Sequence, residues 1–71
     1  METISRTLVN IIKQAIAINT TGEWTEIKGY SICVTPSETE GLFDVAGYEP
    51  GSTTEGNCDF YVTTDANGEV N

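Results

Sequence analysis

The acidic side chains are the residues of this sequence best suited to chemistry, because carboxylates can catalyse proton transfer, bind a metal or contact a basic partner. The chain has 11 Asp and Glu residues, three Lys and Arg residues and no His, giving a net charge of −8 at pH 7. The absence of His removes the commonest general base and the commonest zinc ligand. A carboxylate pair needs a cleft that raises one pKa, and a chain of 71 residues has little room for one. We therefore expect a non-enzymatic protein without a metal or a cofactor.

The basic side chains are concentrated in the first part of the chain. Arg6, Lys13 and Lys28 are the three bases, and every charged residue after Lys28 is acidic. A field of one sign raises the association rate with an oppositely charged partner. It opposes direct contact with nucleic acid or an anionic membrane. The pattern predicts a protein partner with a Lys/Arg-rich surface, while a contribution of the acids to solubility alone is the alternative.

Apolar runs are short throughout the sequence. None approaches the roughly 18 residues that a membrane-spanning helix requires. The N-terminus also lacks the basic segment and small-residue cleavage site of a secretory signal. These features predict a cytoplasmic protein.

The elements that must position the carboxylates follow from periodicity. Residues 2–19 carry apolar side chains at three- and four-residue spacing, which predicts an amphipathic helix. Four strand-like runs separated by turn residues follow at about 23–28, 30–35, 42–48 and 58–64. We expect an α+β fold in which one N-terminal helix packs on a small, mostly antiparallel sheet of about four strands. We expect residues 1–71 to form a single domain. Near its end, Asn67-Gly68 predicts a type I′ hairpin turn.

Alternation along the strands assigns side chains to two faces. Apolar residues such as Ile32, Val34 and Val45 point toward the helix, and their neighbours point to the opposite face. With one helix available, we expect this second face to be uncovered, although Trp24 or Tyr48 could instead fold over an edge to complete the core. Mixed aromatics and carboxylates are typical of interfaces. The candidate partner-binding residues on this face and its adjoining loop are Trp24, Glu26, Asp44, Tyr48, Glu49, Glu55, Asp59 and Tyr61.

The two cysteines are predicted to be free thiols. Alternation places Cys58 with the core-facing residues of the fourth strand and Cys33 on the opposite face. Side chains on opposite faces do not meet the geometry of a disulfide. Free thiols also agree with a reducing compartment.

The whole-chain profile resembles the small acidic inhibitors that bacteriophages make. It combines a short α+β chain with an excess of carboxylates, as in "GLFDVAGYEPGSTTEGNCD" over residues 41–59. These inhibitors include anti-CRISPR proteins and DNA mimics that block nucleases, restriction enzymes or repair glycosylases. The resemblance implies a function as an inhibitor that binds the basic nucleic-acid-binding surface of a target protein or complex.

A second resemblance covers residues 32–47. The segment "ICVTPSETEGLFDVAG" is similar to the strand, acidic glycine turn and strand of HicB-type antitoxins. The chain lacks the DNA-binding segment of that family. This resemblance implies an antitoxin-like protein. The alternative function is thus such a protein, or a small structural or assembly module whose amphipathic helix or sheet edge pairs with another copy or with a protein subunit.

Overall fold

The N-terminal helix is the single helix among the residues that the computed structural model describes, 5–52 and 56–70. Helix α1 spans Arg6–Ile18, and the Ser5 side chain caps its first turn by accepting a hydrogen bond from the Leu8 N–H at 3.1 Å. The apolar spacing buries Val9, Ile11 and other residues of one face. The predicted helix over 2–19 is confirmed for Arg6–Ile18, whereas Ser5 and Asn19 are extended cap residues at its two ends. Positions 2–4 lie outside the described residues.

Four strands form one antiparallel sheet in the order β1-β2-β3-β4. They are β1 (Trp24–Ile27), β2 (Tyr30–Pro36), β3 (Leu42–Tyr48) and β4 (Phe60–Asp65). Each strand pairs with its neighbour in sequence, so the sheet is a simple meander. The predicted α+β fold with one helix on a four-stranded antiparallel sheet is confirmed.

The tightest hairpin connects β1 to β2. Ile27 pairs with Tyr30, and the two residues between them, Lys28 and Gly29, have φ angles of 50° and 87°. Positive φ at both central positions defines a type I′ turn, whose twist matches that of the adjoining strands. Lys28 thus lies in the turn, and β1 ends one residue earlier than the sequence predicted.

The predicted type I′ turn at Asn67-Gly68 is wrong. Gly68 has a φ of 80°, but Asn67 has no positive φ. The Asp65 carboxylate instead accepts hydrogen bonds from the backbone N–H groups of Asn67 and Glu69. The Gly68 N–H donates to the Asp65 carbonyl at 3.0 Å, which closes a different turn.

The hydrophobic core lies between α1 and one face of the sheet, which we call the inner face. Ile32, Val34 and Val45 are fully buried there against the apolar face of the helix. Phe43, Phe60 and Val62 pack around this core while remaining partly exposed. Within the strands, the alternation therefore assigned the core-facing side chains correctly.

The C-terminal segment packs against the helix as well as against the sheet. Val70 forms an isolated bridge with Thr64. Gly68 is buried, and a Cβ atom at this position would lie 2.5 Å from the Val9 carbonyl oxygen. The residue must be glycine both for its positive φ and for this close approach. The segment thereby fixes the far end of β4 to α1.

Candidate functional site

The face of the sheet opposite the helix, which we call the outer face, carries three rows of side chains set by the strand register. The first row is Glu26, Ser31 and Tyr48, with Asp59 next to Tyr48 just before β4. The second is Trp24, Cys33, Ala46 and Tyr61, and the third is Thr35, Asp44 and Thr63. Two large aromatics therefore lie at the ends of the second row, with two small side chains between them.

Trp24 and Tyr61 are the large aromatic side chains that this face exposes. Their exposed fractions are 53% and 68%. They belong to β1 and β4, the two edge strands of the sheet. The sequence expectation of exposed aromatics on the outer face is confirmed for both residues.

Tyr48 departs from that expectation because it is only 7% exposed. Its ring packs against Trp24 with ring centroids 5.5 Å apart, and its hydroxyl donates to the Gly56 carbonyl at 3.1 Å. Of the two alternatives for Tyr48, the uncovered side chain is therefore wrong; Tyr48 is covered, but on the outer face and not over an edge of the sheet. Alternation places the side chain on the correct face, but Trp24 and the chain that follows β3 cover it.

Burial raises the pKa of the Tyr48 hydroxyl above its ordinary value. The neighbouring Cys58 thiol and then the negative charge of Asp59 raise it further. Cys58 is exposed and lies beside Tyr48 on the outer side, so its predicted core-facing position is wrong. The reason is that β4 begins at Phe60, and alternation does not extend to a residue before the strand. Both cysteines are free, as predicted.

Asp59 organises the segment between β3 and β4. Its carboxylate accepts a hydrogen bond from the Glu49 N–H at 2.9 Å, and its own N–H donates to the Gly47 carbonyl. The Ser52 side chain and the Glu49 N–H hold the pKa of Asp59 below its ordinary value. Asp59 is thus an exposed acid with a structural role as well as a charge.

A reverse turn follows β3. The Ser52 N–H donates to the Glu49 carbonyl, and Gly51 has a φ of 81°, as the third residue of a type II turn requires. Pro50 packs against Gly29 of the β1–β2 turn, with its Cβ 3.1 Å from where a Gly29 Cβ would be. Glu49 is exposed at this end of the sheet, and the predicted site residue Glu55 lies outside the described residues.

The two remaining candidate carboxylates differ in their surroundings. Glu26 is exposed and has no hydrogen bond or ion pair with the described residues. Asp44 is half-buried, and its Oδ1 accepts a hydrogen bond from the Thr63 hydroxyl at 3.0 Å. Both carboxylate oxygens of Glu26 are therefore available to a partner, whereas the Asp44 carboxylate is oriented by Thr63.

The structure divides the predicted site into two parts. In the first part, Trp24 contacts Tyr48, which lies next to Asp59 and Glu49, and Glu26 is on the same face of β1 as Trp24. In the second part, Asp44 of β3 and Tyr61 of β4 are diagonal neighbours. Alternation placed Cys33 and Ala46 on the outer face, but it did not predict them as site residues. The strand register shows that they form the floor between the exposed aromatics, a position that their residue types do not indicate.

The described residues place no group of three or more Cys, Asp or Glu side chains close enough to hold a metal ion. In the same part of the chain, no helix has the length and apolar character needed to cross a bilayer.

The fold defines a one-helix, four-stranded α+β protein with an aromatic and acidic sheet face. No family model, curated protein or solved structure matches the chain.

Proposed function

We propose that this chain is a non-enzymatic acidic binding protein, of the phage-inhibitor type represented by anti-CRISPR proteins and DNA mimics. Its outer face would occupy a basic nucleic-acid-binding surface of a target protein or complex. The observation that carries the proposal is the separation of charge between the two layers of the fold. Helix α1 contains Arg6 and Lys13 and no carboxylate. All the carboxylates of residues 5–52 and 56–70 belong to the sheet and its adjoining segments.

The charge separation gives the molecule a directional field. Lys28 is the single base among the described residues outside the helix. Arg6 forms a 2.7 Å ion pair with Glu69, which brings one base and one acid together at the exposed surface. A basic partner is therefore attracted to the sheet layer and away from the helix. Such steering increases the association rate more than the final affinity.

Glu26, Asp44 and Asp59 are separated charges on the outer face and do not form a continuous row. Asp65, a diagonal neighbour of Asp44, instead accepts hydrogen bonds from the N–H groups of its own turn. Glu26 and Asp59 lie at opposite ends of the first row, about 14 Å apart at three strand spacings. Asp44 lies four residues along β3 from Tyr48, which neighbours Asp59, so Asp44 and Asp59 are also about 14 Å apart. These distances exceed the Debye length of about 10 Å at 0.1 M salt, so mutual repulsion is reduced while each charge remains available. The arrangement favours discrete contacts with basic side chains.

The test is displacement of labelled DNA from target proteins. We would add the chain to CRISPR effector complexes, restriction endonucleases and repair glycosylases that hold fluorescent DNA, and follow release by anisotropy. We expect release from at least one class, with an association rate constant that falls toward about 10⁵–10⁶ M⁻¹s⁻¹ as salt rises. Retention of DNA by every class at low salt would contradict the proposal.

A matched pair of double variants separates the outer face from net charge. Glu26→Gln with Asp44→Asn removes two charges from the outer face, and the amide oxygen that replaces the Asp44 carboxylate can still accept the Thr63 hydrogen bond. Glu38→Gln with Glu40→Gln removes two charges from exposed positions between β2 and β3. We expect the first pair to weaken inhibition more than the second. Equal effects would assign the binding to overall charge and not to this face.

Self-association is a second candidate function because Trp24 and Tyr61 are exposed on the two edge strands. Edge strands can pair with another chain through their unpaired backbone groups. An assembly module should form concentration-dependent oligomers in light scattering, and their formation should resist added salt. A chain that remains monomeric at all concentrations would exclude this candidate.

A further inference from the structure

Each exposed aromatic of the outer face lies near a carboxylate, and this pairing indicates which basic side chain of a partner the face would recognise. Resting on the proposed function, we propose that the outer face selects arginine over lysine on the partner, through two aromatic–carboxylate pairs. These are Trp24 with Glu26, and Tyr61 with Asp44. The occupant is thus a protein surface that presents arginine side chains, and charge complementarity with the acidic sheet layer favours it over a second copy of this chain.

The first pair lies on β1. Trp24 and Glu26 are two residues apart on the same face, about 6.5–7 Å along the strand. Trp24 rests on the buried ring of Tyr48, which is itself anchored to the Gly56 carbonyl. This support leaves half of the indole exposed while limiting its freedom. A side chain that is already ordered loses less entropy on binding.

The second pair lies across β3 and β4. Tyr61 pairs with Ala46, and Asp44 pairs with Thr63, so Asp44 and Tyr61 are diagonal neighbours about 7–8 Å apart. The Thr63 hydroxyl contacts Oδ1 of Asp44, and no described residue bonds to Oδ2. The carboxylate is therefore oriented by Thr63, at the position diagonal to Tyr61, with one oxygen available to a partner.

Guanidinium fits such a pair better than ammonium does. Its planar face stacks on an aromatic ring while its N–H groups, directed outward in the same plane, reach a carboxylate. The lysine ammonium is a compact, strongly hydrated charge without a stacking face. Both cations gain from the negative field, so the aromatic rings determine the difference between them.

The register also sets the spacing of the two arginines. Trp24 and Tyr61 are separated by three strand spacings, about 14 Å, across the small side chains of Cys33 and Ala46. An extended partner segment covers this distance in about four residues, which returns the side chain to the same face. Arginines four residues apart on an extended segment would therefore reach both pairs.

The experiment compares an oligo-arginine peptide with an oligo-lysine peptide of equal length. Trp24 is the only tryptophan of the chain, so its fluorescence reports binding at the proposed site. We expect the arginine peptide to bind more tightly by up to about 30-fold, the ratio that two exposed cation–π contacts would give if lysine made neither. In Tyr61→Thr, which keeps Trp24 as the reporter, this ratio should fall by about 2- to 5-fold.

Ile18→Ala is the matched control, because Ile18 is an exposed apolar residue, 59% exposed, on the helix. It should leave the arginine-to-lysine ratio unchanged. Trp24→Leu removes the aromatic ring of the Trp24–Glu26 pair and should also reduce the arginine-to-lysine ratio. Because this variant has no tryptophan, calorimetry measures its binding, and circular dichroism confirms that it is folded.

Several outcomes would overturn the inference. Equal affinity for both peptides, with steep salt dependence, would reject arginine selection while supporting an acidic surface that binds basic partners. No binding of either peptide at low salt would count against the proposed function as well. An unchanged ratio in folded Tyr61→Thr and Trp24→Leu would remove the aromatic pairs as its cause. Self-association that is lost in Tyr61→Thr would place a second copy on this face instead.

Discussion

The two faces of one sheet have opposite compositions although the same strands supply both. On the inner face, Ile32, Val34 and Val45 are almost completely buried beneath α1. On the outer face, Trp24 and Tyr61 remain exposed among carboxylates. Among the described residues, the single helix covers the inner face of the sheet, and no second helix covers the outer face. The difference teaches that the two exposed aromatics of the outer face, Trp24 and Tyr61, do not serve the main core and are available for binding.

The largest expected effect is on the inner face of β2. Ile32→Ala removes a fully buried side chain and should lower the free energy of unfolding by about 2–5 kcal/mol. The loss would be a large part of the stability of so small a domain. Urea denaturation followed by circular dichroism measures it.

Cys33→Ala is the control for this comparison, because Cys33 is the next residue and belongs to the outer face. Its thiol lies 3.2 Å from the Gly22 carbonyl oxygen and is half-buried. We expect a much smaller loss than for Ile32→Ala. Comparable losses for the two variants would mean that the outer face supports the fold as strongly as the core does.

The second effect concerns the contact between the C-terminal segment and the helix. Gly68→Ala places a Cβ atom 2.5 Å from the Val9 carbonyl oxygen and also strains a φ of 80°. Gly41→Ala is the matched control, since Gly41 has a φ of 87° but no atom within 4 Å of its Cβ position. We expect Gly68→Ala to cost about 1–3 kcal/mol more than Gly41→Ala, the usual range for overpacking. Equal costs by urea denaturation would show that the helix contact yields without strain.

Sequence patterns predicted the architecture and the inner face because alternation and helical periodicity follow directly from backbone geometry. They could not predict what covers Tyr48. That contact depends on the path of the chain after β3, where Gly56 accepts the hydroxyl hydrogen bond. The same limit explains Cys58, which precedes β4 and so escapes its alternation.

The sequence predicted a type I′ turn but not its position in the chain. Asn-Gly is the stronger type I′ signal, yet Lys28-Gly29 adopts that turn. The Asp65 carboxylate accepts the N–H groups of Asn67 and Glu69 and thereby fixes another turn geometry. A local side-chain acceptor therefore overrode the dipeptide preference.

The third effect is on the free energy of unfolding at low pH, and it concerns Asp59 in the segment between β3 and β4. The folded-state pKa of Asp59 is lowered by the Ser52 side chain and the Glu49 N–H. A lowered pKa contributes stability above the unfolded value of about 3.9, and this stability is lost as pH falls through the folded value. We expect Asp59→Asn to show a shallower fall in unfolding free energy below about pH 4 than the wild type.

Glu40→Gln removes an equal charge from an exposed side chain without a hydrogen bond to the described residues. Urea denaturation at a series of pH values compares the two variants. A profile for Asp59→Asn that is as steep as that of Glu40→Gln would mean that the contacts of Asp59 do not stabilise the folded state.

The smallest expected effect tests the outer face itself. Tyr61 is 68% exposed, so Tyr61→Thr, which retains a strand-favouring residue, should change the free energy of unfolding by no more than about 0.5 kcal/mol. Phe60→Thr on the inner face should cost clearly more, because the Phe60 ring packs on Gly47 and the core. Thermal and urea denaturation of both variants give the comparison. If Tyr61→Thr were as destabilising as Phe60→Thr, the exposed aromatic would be part of the fold. A neutral Tyr61→Thr that loses arginine selection would instead separate binding from stability on this face.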